Sequence, residues 1–203
     1  MKKIVLVITA LVLLGSQAFA QLVPGAGYLN TTFTSGDSSS SQNGFYAGAT
    51  LNMDISGMKG LGFLPGAYLL LTTSSTSGSF LGQSDQTNVM EISLNVPAYV
   101  RYTYGLSGGA KVFAYAGPSF QLGLVAKSHS KSSGWFSGES NTDLYAASYG
   151  LNRFNVLVGG GIGFGISRFI FNVGYDYGLM DIYKSDNRSG NRSNLHIGIG
   201  YEF

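Results

Sequence analysis

Along most of the chain, apolar and polar residues trade places at every second position. In the stretch MEISLNVPAYVRYTYG, Met90, Ile92, Leu94, Val96, Ala98, Val100, Tyr102 and Tyr104 share one parity, and Glu91, Ser93, Asn95, Pro97, Tyr99, Arg101 and Thr103 share the other. A period of two places alternate side chains on opposite faces of a β-strand. The same split separates Phe169, Phe171, Val173, Tyr175, Tyr177 and Leu179 from Ile170, Asn172, Gly174, Asp176 and Gly178, and Phe45, Ala47, Ala49, Leu51, Met53 and Ile55 from Tyr46, Gly48, Thr50, Asn52 and Asp54. The chain ends on NLHIGIGYEF, where Leu195, Ile197, Ile199, Tyr201 and Phe203 alternate with small or polar residues. A pattern carried to the last residue predicts a strand that pairs, because untied ends fray.

Eight strands are predicted, over 25–34, 45–56, 61–75, 88–105, 110–127, 153–166, 168–180 and 193–203. Their connections alternate in length. SGMKG, LSGG and a turn at Ser167 are tight, whereas SGDSSSSQNG, TSGSFLGQSDQT, the stretch from Ser128 to Asn152 and DIYKSDNRSGNR are longer and polar. Tight turns at one end and long loops at the other predict an all-β fold, an eight-stranded antiparallel up-and-down transmembrane β-barrel. An even strand number leaves both termini at the tight-turn end, which is the periplasmic side of such a barrel.

The first twenty residues stand apart. MKKIVLVITALVLLGSQAFA carries Lys2 and Lys3, an apolar run from Ile4 to Leu14, and Ala18-Phe19-Ala20 at its end, the form of a secretory signal peptide cleaved before Gln21. The barrel domain is thus expected over 21–203. Removing Lys2 and Lys3 leaves ten basic residues against ten acidic ones, so nothing in the charge favours nucleic acid. The absence of cysteine excludes a disulfide scaffold.

Aromatic residues test the membrane reading, since lipid-facing Tyr, Phe and Trp gather at both interfaces. Phe63, Tyr102, Tyr104, Phe164, Phe169, Tyr201 and Phe203 fall near the tight-turn end; Phe45, Phe154, Tyr175 and Tyr177 fall near the other, with Phe120 closer to mid-depth. Inward positions include Glu91, Tyr99, Asn155, Asn172, Asp176 and His196. At the tight-turn end Asp54, Arg101, Lys111 and Glu202 bring both signs of charge into the lumen, and charges taken from bulk water need partners, which predicts a salt-bridged plug. Eight strands leave just enough room for side chains, so a through-pore is not expected.

Sites of chemistry are sparse. GGGIGFG at 159–165 lacks the Lys-Ser/Thr of a phosphate loop, and alternate inward glycines instead make room for neighbours such as Tyr99 or Tyr115. The two histidines, His129 in a loop and His196 facing inward, predict neither a metal centre nor catalysis, and no cofactor is expected. The loops offer surface contacts: Trp135 and Phe136 for a ligand or partner, Arg188 and Arg192 for anionic lipopolysaccharide.

The stretches SLNVPAYVRYTYG, VFAYAGPSFQLG and NRFNVLVGGGIGFGISRFIFNVGYDYGLMDI resemble the strand motifs of the PorT-like outer-membrane β-barrel family. The resemblance spans most of 21–203. It implies an eight-stranded barrel in the outer membrane of a Gram-negative cell, and carries over no functional residue. The expected role is structural or interactive at the envelope, with membrane lipid, lipopolysaccharide and an envelope protein as partners; a small transport barrel or a lipid-modifying or proteolytic enzyme is the alternative. Phe203 resembles the C-terminal aromatic signal read by the barrel-assembly machinery.

Overall fold

The computed structural model describes residues 20–80, 83–133, 138–146, 150–183 and 189–203. The expected leader, 1–19, lies outside them. The described chain forms β1 (Ala20–Ser35), β2 (Ser38–Asp54), β3 (Leu61–Phe80), β4 (Gln83–Gly105), β5 (Ala110–Ser133), β6 (Gly138–Asp143), β7 (Phe154–Ile166), β8 (Phe169–Gly178) and β9 (Asn191–Tyr201). All neighbours are antiparallel, and β1, β2, β3, β4, β5, β7, β8 and β9 pair in a closed ring of eight. β1 and β9 make the closure, with Gly27 opposite Gly198 and Phe33 opposite Arg192. No edge of the ring faces hydrocarbon there, which a membrane barrel requires because lipid offers no hydrogen bonds.

Outward parity is apolar and exposed: Phe45 is 68 % accessible, Ile162 63 % and Ile197 51 %. A soluble monomer does not present so continuous an apolar surface, so the belt is the lipid-facing one. From Phe164 to Phe154 on β7 the chain advances ten residues, roughly 33 Å along the strand and about 25 Å along an axis tilted by about 40°, the height of an outer-membrane apolar band. Phe120 stacks on Phe154 with ring centroids 6.5 Å apart, so it belongs to the long-loop girdle rather than to mid-depth.

The tight turns form as expected, with Gly57 and Gly60 in the first, Gly108 and Gly109 in the second, and Ser167 at φ 54° in the third. The long connections differ from expectation. SGDSSSSQNG and TSGSFLGQSDQT are not loops: β1–β2 and β3–β4 continue as paired strands to Ser35 opposite Ser38 and Phe80 opposite Gln83. β6 adds a short strand along β5. Beyond the belt runs such as 38–41 and 75–78 are exposed and polar or small at either parity, so periodicity carries no signal there. Ser75, Thr76, Ser77 and Gly78 are all exposed. A register shift between Ile92 and Ser93 leaves Leu124 as an extra residue on β5, a bulge that bends the strand as it leaves the belt.

Candidate functional site

The lumen is built in layers by inward parity. Nearest the tight turns, Arg101 on β4 reaches Asp54 on β2 at 2.9 Å, and Lys111 on β5 pairs with Glu202, which also accepts from Asn52 Nδ2 at 3.1 Å. The four residues expected to form a plug are brought together as two ion pairs. Asp54 sits at the rim, its side chain 80 % exposed, while the side chains of Arg101 and Glu202 are each 9 % exposed.

The middle layer is aromatic. Tyr99 donates to Asp176 Oδ1 at 2.7 Å, Tyr115 Oη lies 3.0 Å from His196 Nε2, and Tyr46 Oη lies 3.5 Å from Asn172 Oδ1. Glycines of the facing strands make space for these groups. A Cβ at Gly161 or Gly174 meets the Tyr115 hydroxyl at 2.5 Å, one at Gly159 collides with Asp176, one at Gly163 with Phe113, and one at Gly198 with Tyr46. The glycine run of β7 is thus a set of clearances, for Tyr115 as expected. Tyr99 instead reaches across to Asp176.

The third layer closes the long-loop end. Thr31 donates to Asn194 at 2.8 Å, Asn194 to Gln121 at 3.0 Å, and Gln121 to Ser93 at 2.8 Å. Above them Arg192 on β9 binds Glu91 on β4 at 2.8 Å, both side chains under a tenth exposed. Tyr145, from the segment after β6, reaches down to donate to the other oxygen of Glu91 at 2.9 Å. Arg192 is therefore not a surface contact for lipopolysaccharide: it is 7 % exposed and paired inside the barrel. The signal was in the sequence, since Arg192 shares parity with the inward Asn194, His196 and Glu202. Tyr145 carried no such signal, because it enters the lumen from a connection. Trp135, Phe136 and Arg188 lie outside the described residues.

Outside the belt, β3 to β6 form a projecting polar sheet. His129, expected in a loop, is on β5; its Nδ1 meets Asn141 Oδ1 at 2.7 Å and its Nε2 stands 3.2 Å from Glu139. Beyond β8, Asp181 accepts from the backbone N–H of Tyr183 at 2.8 Å and of Gly190 at 3.1 Å. The Tyr183 bond first, helped by Ser189 and Gly190 against some desolvation, holds its carboxyl below the usual range. Among the described residues no three His, Cys, Asp or Glu side chains gather as a metal site.

A model of the outer membrane protein beta-barrel domain matches residues 16–184. In fold the chain is similar to the Yersinia pestis attachment invasion locus protein, Ail, solved in complex with the heparin analogue sucrose octasulfate: identity is 12 %, TM-score 0.50, and the match covers 91 % of this chain and 99 % of that one. Neisserial surface protein A gives 12 % identity and TM-score 0.48 over 90 % and 97 % of the two chains. OprG of Pseudomonas aeruginosa gives 11 % and 0.39 over 93 % and 98 %. Among curated proteins none matches the sequence.

Proposed function

The chain belongs to the outer membrane protein beta-barrel domain family, and on that premise we propose that it is a closed barrel of the bacterial outer membrane whose work is structural and interactive, done by what it presents beyond the bilayer. The observation that carries this reading is the double closure of the lumen. The Arg101–Asp54 and Lys111–Glu202 pairs stand at one end, and Glu91–Arg192 with Tyr145 at the other. The Glu91–Arg192 pair is buried on both sides, and breaking such a pair by losing one member costs about 3–5 kcal/mol. The long-loop end therefore does not open readily and a path through the barrel is shut there, while the tight-turn layer ends in the exposed rim carboxylate Asp54. Meanwhile β3, β4, β5 and β6 extend a hydrated sheet past the belt, which supports a docking role for that end.

Within the family, the PorT-like strand motifs support that finer assignment. The tight turns and both termini are assigned to the periplasm, with the sheet outside the cell, in contact with lipid, lipopolysaccharide and an envelope protein. No catalysis is assigned. Planar-bilayer recording and a pull-down from detergent-solubilised envelope test the proposal together. Purified barrel is expected to give no stepwise conductance, and to retain an envelope protein that is lost when 76–87 are replaced by a two-residue turn. Reproducible conductance steps favour the transport alternative, and retention that ignores the missing tip removes the docking role.

A further inference from the structure

Between the ion-paired layers the middle of the lumen encloses a cavity of about 110 Å³. At about 10–15 Å³ per water-sized sphere, that is room for several waters or one small molecule. Its wall is unusual in its charge. The lumen carboxylates Asp54, Glu202 and Glu91 each have an Arg or Lys partner. Asp176, 2 % exposed, has none: Tyr99 donates to Oδ1, and the facing basic nitrogen, His196 Nδ1, stands 3.8 Å from Oδ2, beyond hydrogen-bond reach.

Aromatic rings surround this carboxylate's side of the cavity. Tyr46 packs edge-on to Tyr68 at 5.4 Å and to His196 at 6.1 Å, and Tyr99 lies 5.2 Å from Tyr115. Electron-rich ring faces beside a carboxylate attract cations. A second, independent feature is polar. Asn52 Oδ1, Asn95 Oδ1 and Arg101 Nε are buried without hydrogen-bond partners, on residues 8 %, 8 % and 7 % exposed, and all three residues line the cavity. Buried polar atoms left in this state are costly. Asn95 is six residues from Arg101 on β4, about 20 Å along the strand. Asn52 and Arg101, however, both stand at the tight-turn end of the cavity, and one unmet acceptor with one unmet donor suits a hydroxyl, which gives and takes a hydrogen bond.

We infer that the cavity is a binding site for a small amino alcohol, a hydroxyl-bearing organic ammonium ion. Asp176 supplies the counter-charge, the tyrosines cage the cation, and Asn52 and Arg101 face the hydroxyl. Entry is from the tight-turn end, where an open mouth of about 720 Å³ shares Asn52, Arg101 and Glu202 with the cavity wall and where the Arg101–Asp54 pair, its carboxylate exposed at the rim, is the one that parts to admit the ion. The Gln121–Asn194 and Glu91–Arg192–Tyr145 bonds shut the opposite side.

Calorimetric titration of the refolded barrel in octyl glucoside, a detergent without an ammonium headgroup, tests the site with choline and its uncharged isostere 3,3-dimethyl-1-butanol. Saturable choline binding is expected, with the isostere weaker by about tenfold or more. Asp176→Asn, which keeps the shape and the acceptor for Tyr99, is expected to weaken choline by a similar factor while the folded barrel keeps its heat-resistant gel mobility. Tyr46→Leu, which removes one ring and no charge, provides the second variant should Asp176→Asn fail to fold, and is expected to weaken choline several-fold; Lys131→Ala, on the projecting sheet, leaves binding unchanged. No saturable heat with choline, equal affinity for the isostere, or undiminished binding in folded Asp176→Asn or Tyr46→Leu overturns the site and leaves the cavity to water.

Discussion

A single residue's parity decides whether it meets lipid or lumen, and the lumen positions are coupled in pairs. Gly198 exists so that Tyr46 can lie across it. Gly198→Ala is therefore expected to destabilise the barrel by about 1–3 kcal/mol, the scale of overpacking. Tyr46→Leu in the same chain should recover part of the loss, as read by urea unfolding in lipid vesicles; additive losses would show that the contact is not what Gly198 serves. Arg192→Ala leaves Glu91 buried with only the Tyr145 hydroxyl, so a loss of about 3–5 kcal/mol is expected in the same assay. An effect near zero would place Arg192 at the surface. At this scale most of the lumen was legible: Asp54, Arg101, Lys111, Glu202, Asp176 and His196 all face where alternation put them. Arg192 was misplaced only because a run of Asn, Arg, Ser and Gly looks like a loop before strand pairing is known.

Whole strands obey two regimes. Within the belt one face meets lipid and the other meets side chains, so composition alternates and ends can be read from it. Past the belt that contrast vanishes, and hydrogen bonding alone carries β3 to Phe80 and β4 from Gln83. Replacing 76–87 with Asn-Gly is accordingly expected to change barrel stability by less than about 1 kcal/mol, because the stretch lies past the belt and Thr76, Ser77, Gly78, Asp85 and Gln86 in it are exposed. A larger loss in urea unfolding would mean that the extension braces the barrel. The connection from β8 to β9 has its own tie at Asp181. Its carboxyl is held below the unfolded value of about 3.9, so its stabilisation is fully present above that pH and is lost as pH falls through the lower, folded value. Hydrogen exchange should show protected Tyr183 and Gly190 amides at neutral pH, loss of that protection only below about pH 4, and none at any pH in Asp181→Ala. Unchanged protection in the variant would exclude Asp181 as the tie.

The molecule as a whole is a ring closed by its first and last strands, with Phe203 packed on Tyr201 at 5.1 Å just past that seam. Deleting Phe203 is expected to spare refolding in detergent and to lower the amount assembled in outer membranes of living cells, measured by heat-modifiable mobility of membrane fractions; equal assembly would deny the residue a role in targeting. What the sequence determined by itself is the class, the approximate strand positions of the belt and which residues face inward, because each follows from a period-two contrast between lipid and lumen that is local to the strand. Only the tertiary structure decided which inward charges meet, that Tyr145 enters from a connection to cap Glu91, and that Asp176 stands beside a cavity with His196 3.8 Å away and no Arg or Lys partner. Those facts depend on register and shear between strands far apart in the chain, and a pattern with period two is indifferent to both.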